Sequence, residues 1–209
     1  MELAKFSQAN LPAVSTLTSS LRNLKPTGGV GMTILKMDKG GHWVFGSEQT
    51  EVEADSKWAV NPFSFIHGFI AWGDGEVLGE KMTSVANPLP DLDEAPASAK
   101  KGWEQQVGMS LQCVSGDDKG TECRYTVTSV GGKRAVQTLA VALADQVDKD
   151  QTKPVAIVRL KKDSYAHKSY GKIYTPVFEI LEWVGMDSSE PQEDAAPADE
   201  APARRRRAA

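Results

Sequence analysis

The chain has 209 residues, 28 of them acidic and 24 basic, for a formal net charge of −4. That length suits one domain with a sizeable core, and no apolar run is long enough to span a bilayer. With two cysteines, three histidines and no Cys-x-x-Cys or His-x-x-x-His spacing, a structural zinc site is not expected.

The chain starts MELAKFSQANLPAVSTLTSSL, with no continuous apolar stretch, so a secretory signal is not expected and the cytoplasm is the expected location. Residues 1–28 read as an N-terminal arm, either a short helix or irregular. Residues 29–186 read as one β-rich domain. Its first hairpin is MTILKMDKGGHWVFG, two apolar runs around Asp38-Lys39-Gly40-Gly41, a turn sequence of the right chemistry. A second is FSFIHGFIAWGDGEVLGEKMTSV, folded around Gly73-Asp74-Gly75. The Pro- and acid-rich stretch at 86–102 reads as a long loop.

The third hairpin is GMSLQCVSGDDKGTECRYTVTS. Cys123, Tyr125 and Val127 alternate with polar residues on its second arm, and Met109, Leu111 and Cys113 repeat the pattern on the first. Centred on Asp118, it would set Cys113 opposite Cys123. A disulfide is then conceivable, but two small buried hydrophobes in a reducing compartment are the preferred reading. A helix is expected at about 133–148, because Val136, Leu139, Ala140, Leu143 and Val147 form one apolar stripe. Strands PVAIVRL (154–160) and TPVFEILEWV (175–184) follow, with a loop and strand approach between them.

Residues 187–209 hold six acidic residues and then four arginines, Arg204 to Arg207, leaving 22 acidic and 20 basic residues for the rest. With nothing to bury, this segment reads as a disordered tail. Hairpins with one late helix fit a mainly β, OB-fold-like β-barrel with extensions. They do not fit a doubly wound sheet, where helices alternate with strands throughout.

No nucleophile elbow, Walker A loop or dinucleotide fingerprint is present. His67 shares an alternating face with Phe63, Phe65 and Phe69 and reads as a core or edge residue. Asp74 and Glu76 read as turn formers. No catalytic residue, metal site or cofactor is expected.

Binding chemistry is better represented. A protein that holds single-stranded nucleic acid without reading its sequence needs cations along the phosphates and aromatic faces for the bases. Tyr165, Tyr170 and Tyr174 alternate with Lys161, Lys162, Lys168 and Lys172, just after Arg159. The competing reading packs the rings of Tyr170 and Tyr174 into the barrel and leaves the lysines solvated. Lys133 and Arg134 are expected in the first helical turn behind Gly131-Gly132, where they could receive a phosphate. Of the tryptophans, Trp43 and Trp58 are the ones expected to show a ring face to solvent.

With YAHKSYGKIYTPVFEILEWV as last strand and approach, and EPQEDAAPADE behind it, the chain resembles the single-stranded-DNA-binding proteins of tailed bacteriophages. The resemblance implies an OB-fold body and a flexible acidic tail that meets replication or recombination proteins, in the cytoplasm of a bacterial host. It departs from that pattern in ending ARRRRAA, without a terminal aromatic. The expected function is therefore non-enzymatic, sequence-independent coating of single-stranded DNA. Tyr165, Tyr170 and Tyr174 would stack on bases. Arg159, Lys161, Lys162, Lys168, Lys172, Lys133 and Arg134 would contact phosphates. A protein-interaction or virion-associated module is the alternative.

Overall fold

The computed structural model describes residues 33–186. The arm at 1–28 and the tail at 187–209 lie outside the described residues. Ten strands and one helix are present among the described residues: β1 (Thr33–Met37), β2 (Trp43–Phe45), β3 (Thr50–Glu51), β4 (Lys57–Val60), β5 (Ile66–Trp72), β6 (Val77–Ser84), β7 (Trp103–Cys113), β8 (Glu122–Val127), α1 (Val130–Lys149), β9 (Val155–His167) and β10 (Gly171–Val184). The strands form one curled half-barrel sheet in the order β10-β9-β4-β7-β8-β1-β2-β3, with β5 and β6 branching from β7. The fold is mainly β and OB-fold-like.

All three expected hairpins form: β1–β2, β5–β6 and β7–β8. The organising strand is β7. Its C-terminal half pairs with β4 and its N-terminal half with β5 on the same edge, while β8 occupies the other edge. Strands β4 and β5 thus behave as one strand broken at residues 61–65. There Pro62 cannot donate to a ladder, and the amide of Ser110 turns instead to the Ser64 hydroxyl at 2.8 Å. Such a break lets the sheet curl.

Counting β4 and β5 as one, the strands β4/β5, β7, β8, β9 and β10, with α1 between β8 and β9, trace a five-stranded, partly open Greek-key barrel. No hydrogen-bonded ladder joins β8 to β10. Strand β1 runs parallel to β8 instead, Leu35 opposite Tyr125, and aromatic side chains bridge the gap. The rings of Trp43, Tyr125 and Phe178 lie 5.5 Å apart pairwise, and the Trp43 indole donates to the Lys161 carbonyl at 2.9 Å. Side chains here do the closing that a ladder does elsewhere.

The core contains Leu35, Trp43, Trp58, Val60, Met109, Leu111, Tyr125 and Val158, with Val136 and Leu139 of α1 packed in from one side. The expectation that Trp43 and Trp58 show a ring face is therefore corrected. Trp58 is fully buried and its indole donates to the Ser56 hydroxyl at 2.9 Å. Large rings at strand positions are worth most inside, provided the N–H finds a partner. The face shared by Phe63, Phe65, His67 and Phe69 is also corrected: Phe63 lies before β5 and is exposed, whereas Phe65 is buried.

Cys113 and Cys123 are both buried and unbridged. Cys123 stands opposite Leu111, and Cys113 exchanges backbone bonds with Gly120 and Thr121, so the two cysteines are diagonal and not opposite. Burial pushes the Cys123 thiol up to about 12. Residues 85–102 hold no helix or strand, as expected. The loop is nevertheless tied down, because the Trp103 indole donates to the Asp93 carbonyl at 3.0 Å.

The helix starts at Val130, three residues before the expected start at 133. Ser129 caps it, its hydroxyl accepting from Gly132 N at 3.2 Å. Glycines are poor helix formers, but here they are required by contact. A Cβ on Gly131 would lie 2.6 Å from Thr175 of β10, and one on Gly132 would lie 2.2 Å from Val127. Glycine lets the first turn sit directly on both strands.

Candidate functional site

The lysine- and tyrosine-rich segment is not a loop leading into a strand. It is a paired β-ribbon, the distal half of a hairpin whose register runs from Val155 opposite Val184 to His167 opposite Gly171. Strand β4 pairs with β9 at residues 157–159 only. Past that point, each arm has only the other as a ladder partner. Alternate polar and apolar side chains can occupy a strand exposed on two faces, which is why composition alone suggests a loop here. Three turn residues, Lys168 to Tyr170, close the ribbon, followed by Gly171 at φ +72°. A glycine in the left-handed region is the usual end of such a three-residue hairpin loop.

Residues opposite one another in the register share a face. Tyr174 therefore lies with Lys162, Ser164, Ala166 and Lys172 on one face, and Tyr165 with His167, Ile173 and Thr175 on the other. Tyr170 sits in the turn, its ring 4.8 Å from that of His167.

The three tyrosines differ in what they offer a ligand. Tyr170 is 78% exposed and Tyr165 51% exposed. Tyr174 is half-buried, because Gly41 packs its backbone against the ring: a Cβ there would lie 2.6 Å away. Gly41 is at φ +78°, so the Asp38–Gly41 turn needs glycine twice over, for conformation and for close approach. The Lys162 and Lys172 ammonium groups stand 5.1 Å and 5.0 Å from the Tyr174 ring centroid, within cation–π range. Tyr174 thus supports two lysines and is less open to a base than the other two rings.

The cations also divide. Arg159 lies 3.3 Å from Asp55 and 3.4 Å from Glu179, and Lys161 lies 3.2 Å from Asp55. Arg159 faces Lys57 across the ladder, and like charges opposite one another destabilise a pair. Carboxylates at Asp55, Glu179 and Glu182, the last 4.0 Å from Lys57, offset that repulsion. Arg159 and Lys161 are thus held by acids at the root of the hairpin.

Lys162, Lys168 and Lys172 are exposed, and no carboxylate of the described residues pairs with them. Between Lys161 and Phe178 the chain carries four lysines against one carboxylate, Asp163, and one Asp163 oxygen accepts from Ser164 N at 2.7 Å.

Lys133 and Arg134 stand apart from the ribbon lysines. Because α1 begins at Val130, they are the fourth and fifth helical residues. Lys133 N already donates to the Ser129 carbonyl at 2.9 Å. The expectation that both occupy the first turn is thereby corrected, and with it their access to unpaired backbone amides. Arg134 is exposed and, with Tyr165, lines a groove between α1 and β10.

Sequence reasoning missed Asp55 and Gly41, which decide which cations and rings are free, and Lys39, exposed in the turn that packs on Tyr174. The Gly40-Gly41 pair was the signal for the close approach. Nothing local marked Asp55, which meets its partners across more than 100 residues of chain.

Elsewhere the chemistry is sparse. His67 bonds through Nε2 to the Asn87 carbonyl at 2.9 Å, and Asp74 pairs with Lys100 at 2.7 Å in an exposed turn. Asp38 is engaged by His42, whose backbone N–H holds its carboxyl below the usual range. Among the described residues no group of three or more His, Cys, Asp or Glu could hold a metal ion, and no helix is long and apolar enough to cross a membrane. Comparison with protein-family models, with curated proteins and with solved structures finds no match for this chain.

Proposed function

We propose that the protein binds single-stranded DNA without sequence preference, as a non-enzymatic coat during DNA replication or recombination of a tailed phage. The observation that carries this reading is the distal β9–β10 ribbon. There Tyr165 and Tyr170 expose their rings at one face and the turn, and Lys162 and Lys172 on the Tyr174 face and Lys168 in the turn are neutralised by no carboxylate of the described residues. Rings accept any base and ammonium groups accept any phosphate, so this chemistry binds without reading sequence. An OB barrel commonly binds through the face of its second and third strands and the loop between its last two. Here those parts are β7–β8 and the ribbon turn. The phage and replication context rests on the sequence resemblance alone.

The test is fluorescence anisotropy of end-labelled oligo-dT titrated with the protein at two salt concentrations. Tryptophan quenching is a poor reporter, since Trp43 and Trp58 are buried. Expected is tight binding at low salt that weakens steeply as salt rises, with the oligonucleotide intact, because counterion release drives phosphate contacts. Absence of binding at low salt would sink the reading and favour a protein-interaction module. Shortening of the oligonucleotide would instead indicate a nuclease.

A further inference from the structure

A groove of about 430 Å³ runs between α1 and the edge of β10 that no strand pairs. Its volume lies in the range of roughly 300–1,000 Å³ usual for small-ligand sites. Arg134, Ala135 and Thr138 of α1 form one wall, and Tyr165, Thr175 and Val177 of the hairpin belong to the other. Tyr165 and Thr175 are diagonal neighbours on one face of the ribbon, Tyr165 opposite Ile173 and Thr175 opposite Asp163. Thr175 is also the residue on which Gly131 packs, so the helix meets the ribbon beside the exposed Tyr165 ring.

Three features of this groove narrow its occupant. No carboxylate lines it, and its one charge is the Arg134 guanidinium, for which the described residues supply no acidic partner. Most of its lining is apolar, with threonine hydroxyls at Thr138 and Thr175. And it is continuous with the ribbon, since Tyr165 belongs to both. An apolar slot with one aromatic wall and one unpaired guanidinium matches a nucleobase with its phosphate. An acidic peptide would want more cations, and a basic one would want a carboxylate.

We propose that the groove seats one nucleotide of a bound single strand, its base against Tyr165 and its phosphate on Arg134. The strand then crosses the ribbon at its turn, from the Tyr174 face that carries Lys162 and Lys172 over Tyr165 to the helix on the opposite face. This rests on the reading of the protein as a single-stranded-DNA binder, and it adds a second, helix-side contact to that reading.

The test combines photo-crosslinking with two exposed substitutions. Oligo-dT carrying 5-iodouracil is irradiated with the full-length protein and the tryptic peptides are analysed. Cleavage after Lys162, Lys168 and Lys172 puts Tyr165, Tyr170 and Tyr174 on three different peptides. Expected in the wild type is a crosslink on the Tyr165 peptide. Thr138→Trp, which fills the groove, removes that crosslink and keeps the one at Tyr170, and Arg134→Ala weakens oligo-dT binding about tenfold.

The inference is overturned, with the coating function intact, if both variants bind like the wild type and the Tyr165 crosslink persists. Loss of an oligomer in Thr138→Trp without change in DNA affinity would also overturn it, by assigning the groove to a second copy. A wild type that binds no oligo-dT fails at the earlier step and removes both readings together.

Discussion

The root and the tip of the β9–β10 hairpin share one ladder but differ in what surrounds their side chains. At the root, β4 pairs with β9, Val158 is fully buried, and Arg159 and Lys161 are held by Asp55 and Glu179. At the tip the third strand is gone, two tyrosines are exposed and Lys162, Lys168 and Lys172 pair with no acid of the described residues. One residue type, lysine, is therefore paired with an acid at Lys161 and unpaired at Lys162, its immediate neighbour on the opposite face. What decides the difference between them is Asp55, brought in from the turn before β4, and not the hairpin sequence.

The largest test of this contrast is at the root. Trp58→Ala should cost about 3–5 kcal/mol of stability, the usual range for truncating a buried tryptophan, seen as a lower midpoint in urea denaturation. At the tip, Tyr170→Ala should stay within about 0.5 kcal/mol of the wild type in the same experiment. Equal costs at the two positions would break the division.

Binding should show the reverse order. Replacing Lys162, Lys168 and Lys172 together by Ala should lower the slope of log affinity against log salt by about 2, at roughly 0.7 per phosphate contact on a single strand. The thermal midpoint should hardly move. A slope identical to that of the wild type would take the phosphate track away from the ribbon. Tyr170→Ala alone should weaken oligo-dT binding by about 1–3 kcal/mol, the range for one stacked base.

Smaller effects sharpen the boundary between the two halves. Asp55→Asn removes the carboxylate shared by Arg159 and Lys161 and should cost at most about 1 kcal/mol, since the pair is partly exposed. Its affinity for DNA should not fall, because Lys161 is released from its acid while Arg159 keeps Glu179. A marked loss of DNA affinity would mean that the root belongs to the binding surface after all.

The buried end also has a pH signature. Burial raises the Cys113, Cys123 and Tyr125 values in the folded state. In the unfolded chain a cysteine ionises near its ordinary value of 9.0, whereas folded Cys123 holds its proton to about 12. Above about pH 9 the unfolded state therefore binds fewer protons, and stability falls as pH rises through that window. Denaturation midpoints at successive alkaline pH values check the sign. At pH 8 neither thiol should react with a disulfide reagent until denaturant is added.

Much of the fold is legible along the chain because it rests on local signals. The turn chemistry of Asp38 to Gly41 and Gly73 to Gly75, and the alternation of Cys123, Tyr125 and Val127, predict hairpins that form. The stripe from Val136 to Val147 predicts the helix that lies beside β10. Its start was missed because Gly131 and Gly132 argue against a helix by propensity, and only their contacts with Thr175 and Val127 make them fit. Trp43 and Trp58 were misplaced for a similar reason. Nearby polar residues suggest exposure, while Trp43 meets Tyr125 and Phe178 and Trp58 sits between Cys113 of β7 and Val158 of β9.

Sequence by itself determined the turns, the strand periods, the helix and the concentration of lysine and tyrosine between Lys161 and Tyr174, since each depends on residues near in the chain. Tertiary structure alone decided which of those side chains are free. It brought Asp55 to Arg159 and Lys161, laid Gly41 on Tyr174, and set α1 beside Tyr165 to make a groove. Charge neutralisation and ring exposure depend on whichever segment the fold brings within a few ångströms, and no spacing along the chain encodes that distance.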